Sequence, residues 1–136
     1  MRVDEPDPRD LSADGLRVAV VTAIFNASVT KGLTDGAVDY LREAEAEEVL
    51  TVECPGAFEL PLIAQKLARG GYDAVVCLGA VIEGDTDHYE HVAHRASEGL
   101  MRVQLDEGVP VAFGILTVRD IDHARERSAP GPDRRT

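Results

Sequence analysis

The sequence predicts an α/β protein, with a four-stranded parallel sheet held between helices in a three-layer α/β/α sandwich. Three observations predict it. Apolar runs of strand length alternate with longer stretches whose apolar residues recur every three or four positions. The resulting order is strand, helix, strand, helix, repeated to the end, which implies parallel strands joined by right-handed crossovers with helices on both faces. The length of 136 residues and an apolar fraction of 44 % suit one domain of ordinary core size.

The elements follow in order. Residues 1–14 are rich in Asp and Pro and read as an N-terminal arm ahead of an α/β domain over 15–128. A β-branched apolar run over 16–25 reads as a buried first strand. Ser28 is the expected N-cap of the first helix, whose stripe is Val29, Leu33, Ala37, Leu41 and Ala44. Gly32 and Gly36, one turn apart, allow a second helix to approach closely. Residues 48–53 form a short second strand ended by Pro55-Gly56. A helix over 57–69 carries Leu60, Ile63, Ala64 and Leu67 on one face, with Pro61 tolerated in its first turn. Gly70-Gly71 ends that helix, and residues 73–82 form the third strand. The third helix spans 88–106, with Val92, Ala96, Leu100 and Val103 inward and an expected capping box between Asp87 and Glu90. Gly108 stops it, 109–116 is the fourth strand, and 120–127 is a short helix. Residues 129–136 read as a flexible tail. The arrangement is flavodoxin-like, yet no glycine-rich phosphate fingerprint follows the first strand, so a nucleotide-binding module is not supported.

Composition excludes several function classes. The net charge of −11 repels nucleic acid and anionic membranes, and no basic patch offsets it. No apolar stretch is long enough to span a bilayer, and the first residues lack a signal-peptide core. Cys54 and Cys77 sit in apolar sequence and read as buried free thiols of a reducing compartment, so a cytoplasmic location is expected. A sheet of this size leaves edges that need cover, for which oligomerisation is one device.

The strands of a parallel sheet all end on one rim, where open α/β sheets place ligands. Loops at Phe25-Asn26-Ala27, 55–59, 83–88 and 117 onward therefore meet there. They bring Asn26, Glu59, Asp85, Thr86 and His88 together with the rings of Phe25 and Phe58, a setting for a flat heterocycle with a few polar contacts. Any one of these loops reads equally well as a polar turn; their coincidence is the stronger signal. His88 opens a helix and faces the sheet, and its imidazole is the candidate acid/base group. His91 and His94 follow it, but only i,i+3 or i,i+4 neighbours share a helix face, so a metal cluster is not expected. Gly84-Asp85-Thr86 at a helix start suits a phosphate, although Glu83, Asp85 and Asp87 would repel one. A basic partner is required, either Arg127 or Arg119, although Arg127 reads more readily as a solvated charge favoured by its helix dipole.

These residues carry a specific resemblance. Phe25-Asn26, Pro-Gly-Ala-Phe-Glu-Leu-Pro at 55–61, Gly-Ala-Val-Ile-Glu-Gly-Asp-Thr-Asp-His-Tyr at 79–89, and Phe-Gly-Ile-Leu-Thr at 113–117 resemble the 6,7-dimethyl-8-ribityllumazine synthase family, in that order along 16–127. The resemblance implies a transferase of riboflavin biosynthesis. It would condense 5-amino-6-(D-ribitylamino)uracil with 3,4-dihydroxy-2-butanone 4-phosphate, with no metal and no organic cofactor. It implies that Phe25 stacks on the pyrimidine, and that Asn26, Ala57, Phe58, Glu59, Ala80, Val81 and Ile82 surround its polar edge and ribityl chain. Asp85 and Thr86 would meet the phosphate, and His88 would move protons. Phe113 and Arg127 would reach into a neighbouring subunit's site, within a homopentamer that in some members builds a sixty-subunit shell.

The chain also departs from the family pattern. A glycine- and lysine-bearing stretch and a last helix, expected after the Arg127 position, have no counterpart in 128–136, where Arg134 or Arg135 would have to supply the charge. Glu83 and Cys54 stand where a basic residue and a valine are common. A second reading follows from this: a pentameric relative that binds flavin-like heterocycles with little or no turnover.

Overall fold

The computed structural model describes Asp4, Asp7 and residues 10–130. Its elements are β1 (Arg17–Ala23), α1 (Ala27–Glu43), β2 (Glu48–Cys54), a 3-10 turn (Ala57–Glu59), α2 (Leu60–Arg69), β3 (Ala74–Ile82), α3 (His88–Glu107), β4 (Val111–Val118) and α4 (Ile121–Ser128). The four strands form one sheet in the order β2-β1-β3-β4, and every pairing is parallel. The predicted fold class is therefore the observed one. The strand order reverses between β1 and β3, so the crevice outside their C-terminal ends is the place where such sheets bind ligands.

The pleat explains the layers. Odd-numbered residues Val21, Ala23, Val75, Cys77 and Val81 pack with Leu60 and Ala64 of α2 and Ala96, Leu100 and Val103 of α3. Even-numbered Val20, Leu78 and Ala80 pack with Val29, Leu33 and Val38 of α1 and Ala124 of α4. Successive strand residues face opposite sides, so one apolar run feeds two cores. Gly32 of α1 is required by packing: a Cβ there would collide with the backbone carbonyl of Ser128, at the end of α4.

Several element ends differ from expectation. Ser28 does not cap α1. The chain enters that helix through Asn26 in the left-handed region, φ 63° and ψ 45°, which asparagine tolerates better than most residues. β1 ends at Ala23 rather than Phe25, although the Ile24 and Phe25 N–H groups still donate to the carbonyls of Cys54 and Pro55. β4 starts at Val111 rather than residue 109, after Pro110, which has no N–H to give the ladder. It then runs on to Val118, opposite Ile82. The expected Asp87–Glu90 capping box does not form. Asp87 stands at the N-cap of α3 without a side-chain cap bond, and its carboxylate lies beside His91 instead. The last part of the expected arm is tied down, with the Ala13 N–H donating to the Ala44 carbonyl at 2.8 Å and Asp14 bridging Ala46. The tail positions 131–136, Arg134 and Arg135 included, and most of the first nine residues lie outside the described residues. No helix among the described residues is long and apolar enough to cross a membrane.

Candidate active site

A pocket of about 360 Å³ is lined by Phe25, Gly56, Ala57, Phe58, Glu59, His88, His91 and Val92. It sits at the strand-end rim, between the turn after β1, the 3-10 turn after β2 and the first turn of α3. Each wall has a local cause. Phe25 follows the end of β1, and its ring is 67 % exposed in the single chain, free to stack on a ligand. Gly56 lets that ring approach: a Cβ there would lie 2.9 Å from Phe25 Cδ2 and 3.1 Å from Glu59 Oε2. Glu59 folds the 3-10 turn back on itself, its Oε2 accepting from the Gly56 N–H at 3.0 Å. A carboxylate has more acceptor sites than this one bond uses, so Glu59 retains capacity for a ligand hydroxyl or N–H. Phe58, 60 % exposed, forms a second apolar wall.

His88 is not buried against the sheet, as its spacing from Val92 suggested. It is exposed in the single chain and forms part of the pocket rim, because α3 begins at that residue and its first turn overhangs the strand ends. The His88 N–H donates to Thr86 Oγ1 at 3.4 Å. The imidazole thus stands in one cavity with both phenyl rings.

The other expected site residues lie outside this cavity. The Asn26 side-chain amide donates to the Ala80 carbonyl at 2.9 Å, stapling the turn after β1 to β3. Ala80 and Val81 point their side chains into the cores, and Ile82 is half-buried. Asp85 and Thr86 are exposed on the loop before α3. Arg119 Nε sits 3.2 Å from Glu83 Oε2, joining the ends of β4 and β3 at this rim. Arg127 Nη1 donates to the His123 carbonyl at 3.0 Å, within α4. Phe113 lies mid-strand in β4, opposite Cys77, and is 50 % exposed. It lines a second groove of about 780 Å³ with Leu33, Ala37, Tyr40 and Leu116. That groove is larger than the pocket at the rim, but it has no imidazole, so the smaller pocket is the candidate site.

His91 and Gly56 are pocket residues to which the sequence reading gave no role in a site. His91 had a usable signal, its place three residues after His88 on one helix face. Gly56 had none, because its role is set by a ring thirty-one positions earlier. Cys54 and Cys77 are free and buried. Burial, and then the nearby Glu59 carboxylate, pushes the Cys54 thiol up to about 11, and burial pushes Cys77 up to about 12. Neither supplies a thiolate nucleophile near neutral pH. Among the described residues, no group of three or more His, Cys, Asp or Glu is placed to hold a metal ion.

Comparison with known proteins gives the family. The family profile for 6,7-dimethyl-8-ribityllumazine synthase matches residues 15–134. The chain is 48 % identical over 122 residues to the 6,7-dimethyl-8-ribityllumazine synthase of Salinibacter ruber (strain DSM 13855 / M31), covering 88 % of this chain and 78 % of that protein. It is 47 % identical over 121 residues to the enzyme of the same name from Chlorobium phaeobacteroides (strain DSM 266 / SMG 266 / 2430), covering 87 % and 78 %. A parallel sheet with an aromatic, imidazole-bearing pocket at its rim, matched along nearly its whole length, belongs to the 6,7-dimethyl-8-ribityllumazine synthase family.

Proposed function

We propose that the protein condenses 5-amino-6-(D-ribitylamino)uracil with 3,4-dihydroxy-2-butanone 4-phosphate to 6,7-dimethyl-8-ribityllumazine, releasing phosphate and water, as a transferase of riboflavin biosynthesis. Family membership supports the reaction, and the observation that carries it is one pocket holding Phe25, Phe58, Glu59 and His88 together. A planar pyrimidine stacks on Phe25 and is walled by Phe58. Glu59 and the backbone of Ala57 and of residues 80–82 meet its polar edge and the ribityl hydroxyls. Asn26 keeps the turn after β1 in place through Ala80.

The chemistry is amine addition to a ketone, elimination of phosphate, and ring closure by a second amine. It needs proton movement and two substrates held in register. Positioning of that kind supplies several kcal/mol, and general acid/base help supplies about 10²–10⁴-fold. His88 is the proton-moving group in this reading. Asp85 and Thr86 meet the phosphate through backbone N–H groups and the Thr86 hydroxyl, at the start of α3.

Phe113 and Arg127 act in a neighbouring subunit's site. Supporting this, Phe113 is half exposed on the edge strand β4 and lies away from the chain's own pocket. The assembly in this reading is a homopentamer, with a sixty-subunit shell as its larger form, in the cytoplasm. The protein is incubated with both substrates while lumazine fluorescence and phosphate release are followed. Product above the uncatalysed rate is expected; tight binding of the pyrimidine without product would identify a non-catalytic relative. Sedimentation of the same sample as a stable monomer would remove the shared site.

A further inference from the structure

We propose that His91, oriented by Asp87, is a second proton-transfer group of this pocket and works with His88; the proposal rests on the synthase reading above. His91 lines the same cavity as Phe25, Phe58, Glu59 and His88. It lies three residues after His88 on α3, so the two imidazoles project from one side of the helix. Its Nε2 is 3.4 Å from Asp87 Oδ2, one turn earlier. A carboxylate on that side favours the proton on Nε2, which leaves Nδ1 as the nitrogen with the lone pair. Asp87 thereby acts as a positioning residue. This arrangement also accounts for the capping box that α3 lacks, because the carboxylate that would cap the helix is turned to the imidazole.

The reaction has work for two such groups. When the pyrimidine's 5-amino nitrogen adds to the ketone, the N–C bond forms and the C=O π pair moves onto oxygen. The nitrogen must lose a proton as the oxygen gains one. His91 accepts the proton from nitrogen, and protonated His88 delivers one to oxygen. When the resulting hydroxyl departs, the proton held on His91 leaves with it as water, the nitrogen's second proton passes to His88, and the imine remains with both imidazoles back in their starting states. One imidazole would have to accept and deliver a proton in succession, whereas two neighbouring imidazoles divide the two transfers between them.

The test uses the full chain in steady-state assays with both substrates, with thermal melting as the control for folding. His91 and Asp87 are exposed, so their replacement leaves the melting transition in place. His91→Phe keeps a ring and removes both nitrogens. It is expected to lower kcat by at least about 10-fold while KM for either substrate stays within about 3-fold. His91→Gln retains an N–H donor but cannot carry a proton, and it is expected to behave like His91→Phe. Asp87→Asn, which leaves the imidazole in place, is expected to lower kcat by a smaller factor. Wild-type turnover together with an unimpaired His91→Phe overturns the proposal alone, as does full recovery in His91→Gln or a loss confined to KM. Absence of lumazine formation by the wild-type protein overturns the synthase reading, and the proposal with it.

Discussion

The rim of the sheet is built in two different ways at its two ends. At the β1–β2 end, Phe25, Gly56 and Glu59 interlock. A ring fills the space a side chain would need, and a carboxylate bonds back to the backbone. At the β3–β4 end, the loop over 83–88 is exposed, a Cβ added at Gly84 would meet nothing within 4 Å, and the ties are the Glu83 N–H donating to the Val118 carbonyl and the exposed Glu83–Arg119 pair. The first end is shaped by packing and is preorganised for a flat ring. The second is shaped by charge and solvent, and it is the end the proposed function assigns to phosphate. In the proposed function, one substrate meets a finished surface, while the other meets a loop whose fit depends on what it binds.

The largest expected effect is at the junction of the two ends. His88→Ala should lower kcat by about 10²–10⁴-fold and leave melting and assembly unchanged, because His88 is exposed and packs in neither core. Equal activity of this variant and the wild type would separate the rim geometry from the chemistry.

Next comes alkaline loosening of the packed end. Cys54 donates its thiol to the Gly56 carbonyl at 3.5 Å beneath the pocket turn. Its folded value near 11 lies above the ordinary 9.0, and so does that of Cys77 near 12. Above pH 9 the unfolded chain gives up thiol protons that the folded chain keeps. The stability these neutral thiols contribute is thus fully present below about pH 9 and is lost as pH rises toward 11–12, by an amount on the order of a few kcal/mol. Denaturant melts across this range should show the decline, and Cys54→Ala should reduce its slope.

A paired substitution compares the two ends directly. Gly56→Ala forces Phe25 or Glu59 to move and should cost about 1–3 kcal/mol, with a raised KM for the pyrimidine. Gly84→Ala has open space and should change stability by less than about 0.5 kcal/mol. Similar losses in both would mean that the packed end is no more constrained than the loop. The smallest effect belongs to the exposed pair. Glu83→Gln frees Arg119 and removes one like charge from the phosphate side. Stability should change by less than about 1 kcal/mol, with a few-fold lower KM for the phosphate-bearing substrate that vanishes at high salt.

Much of this was legible in the residue order. Strand–helix alternation foretold the parallel sheet, because a crossover helix is the only compact way to return a chain for parallel pairing. The place of the pocket followed from the same topology, as did the membership of Phe25, Phe58, Glu59 and His88. Details that depend on side chains meeting across the fold were not legible. Asn26 reads as a polar contact in a motif, yet it staples two strands because Ala80 lies opposite it. Asp87 and Glu90 have the spacing of a capping box, yet a nearby imidazole competes for the carboxylate. His91 reads as one of a histidine run until the helix start places it in one pocket with Phe25.

The sequence by itself determined the fold class, the order of the elements and the rim that carries the candidate site, since periodicity and turn residues are local properties of the chain. Only the tertiary structure decided which rim residues share a cavity. It left Phe113 and Arg127 outside that cavity and brought His91 into it. The physical reason is that helix start, strand register and ring packing are settled jointly by contacts between residues distant in the chain, at distances of a few ångströms that no spacing rule resolves.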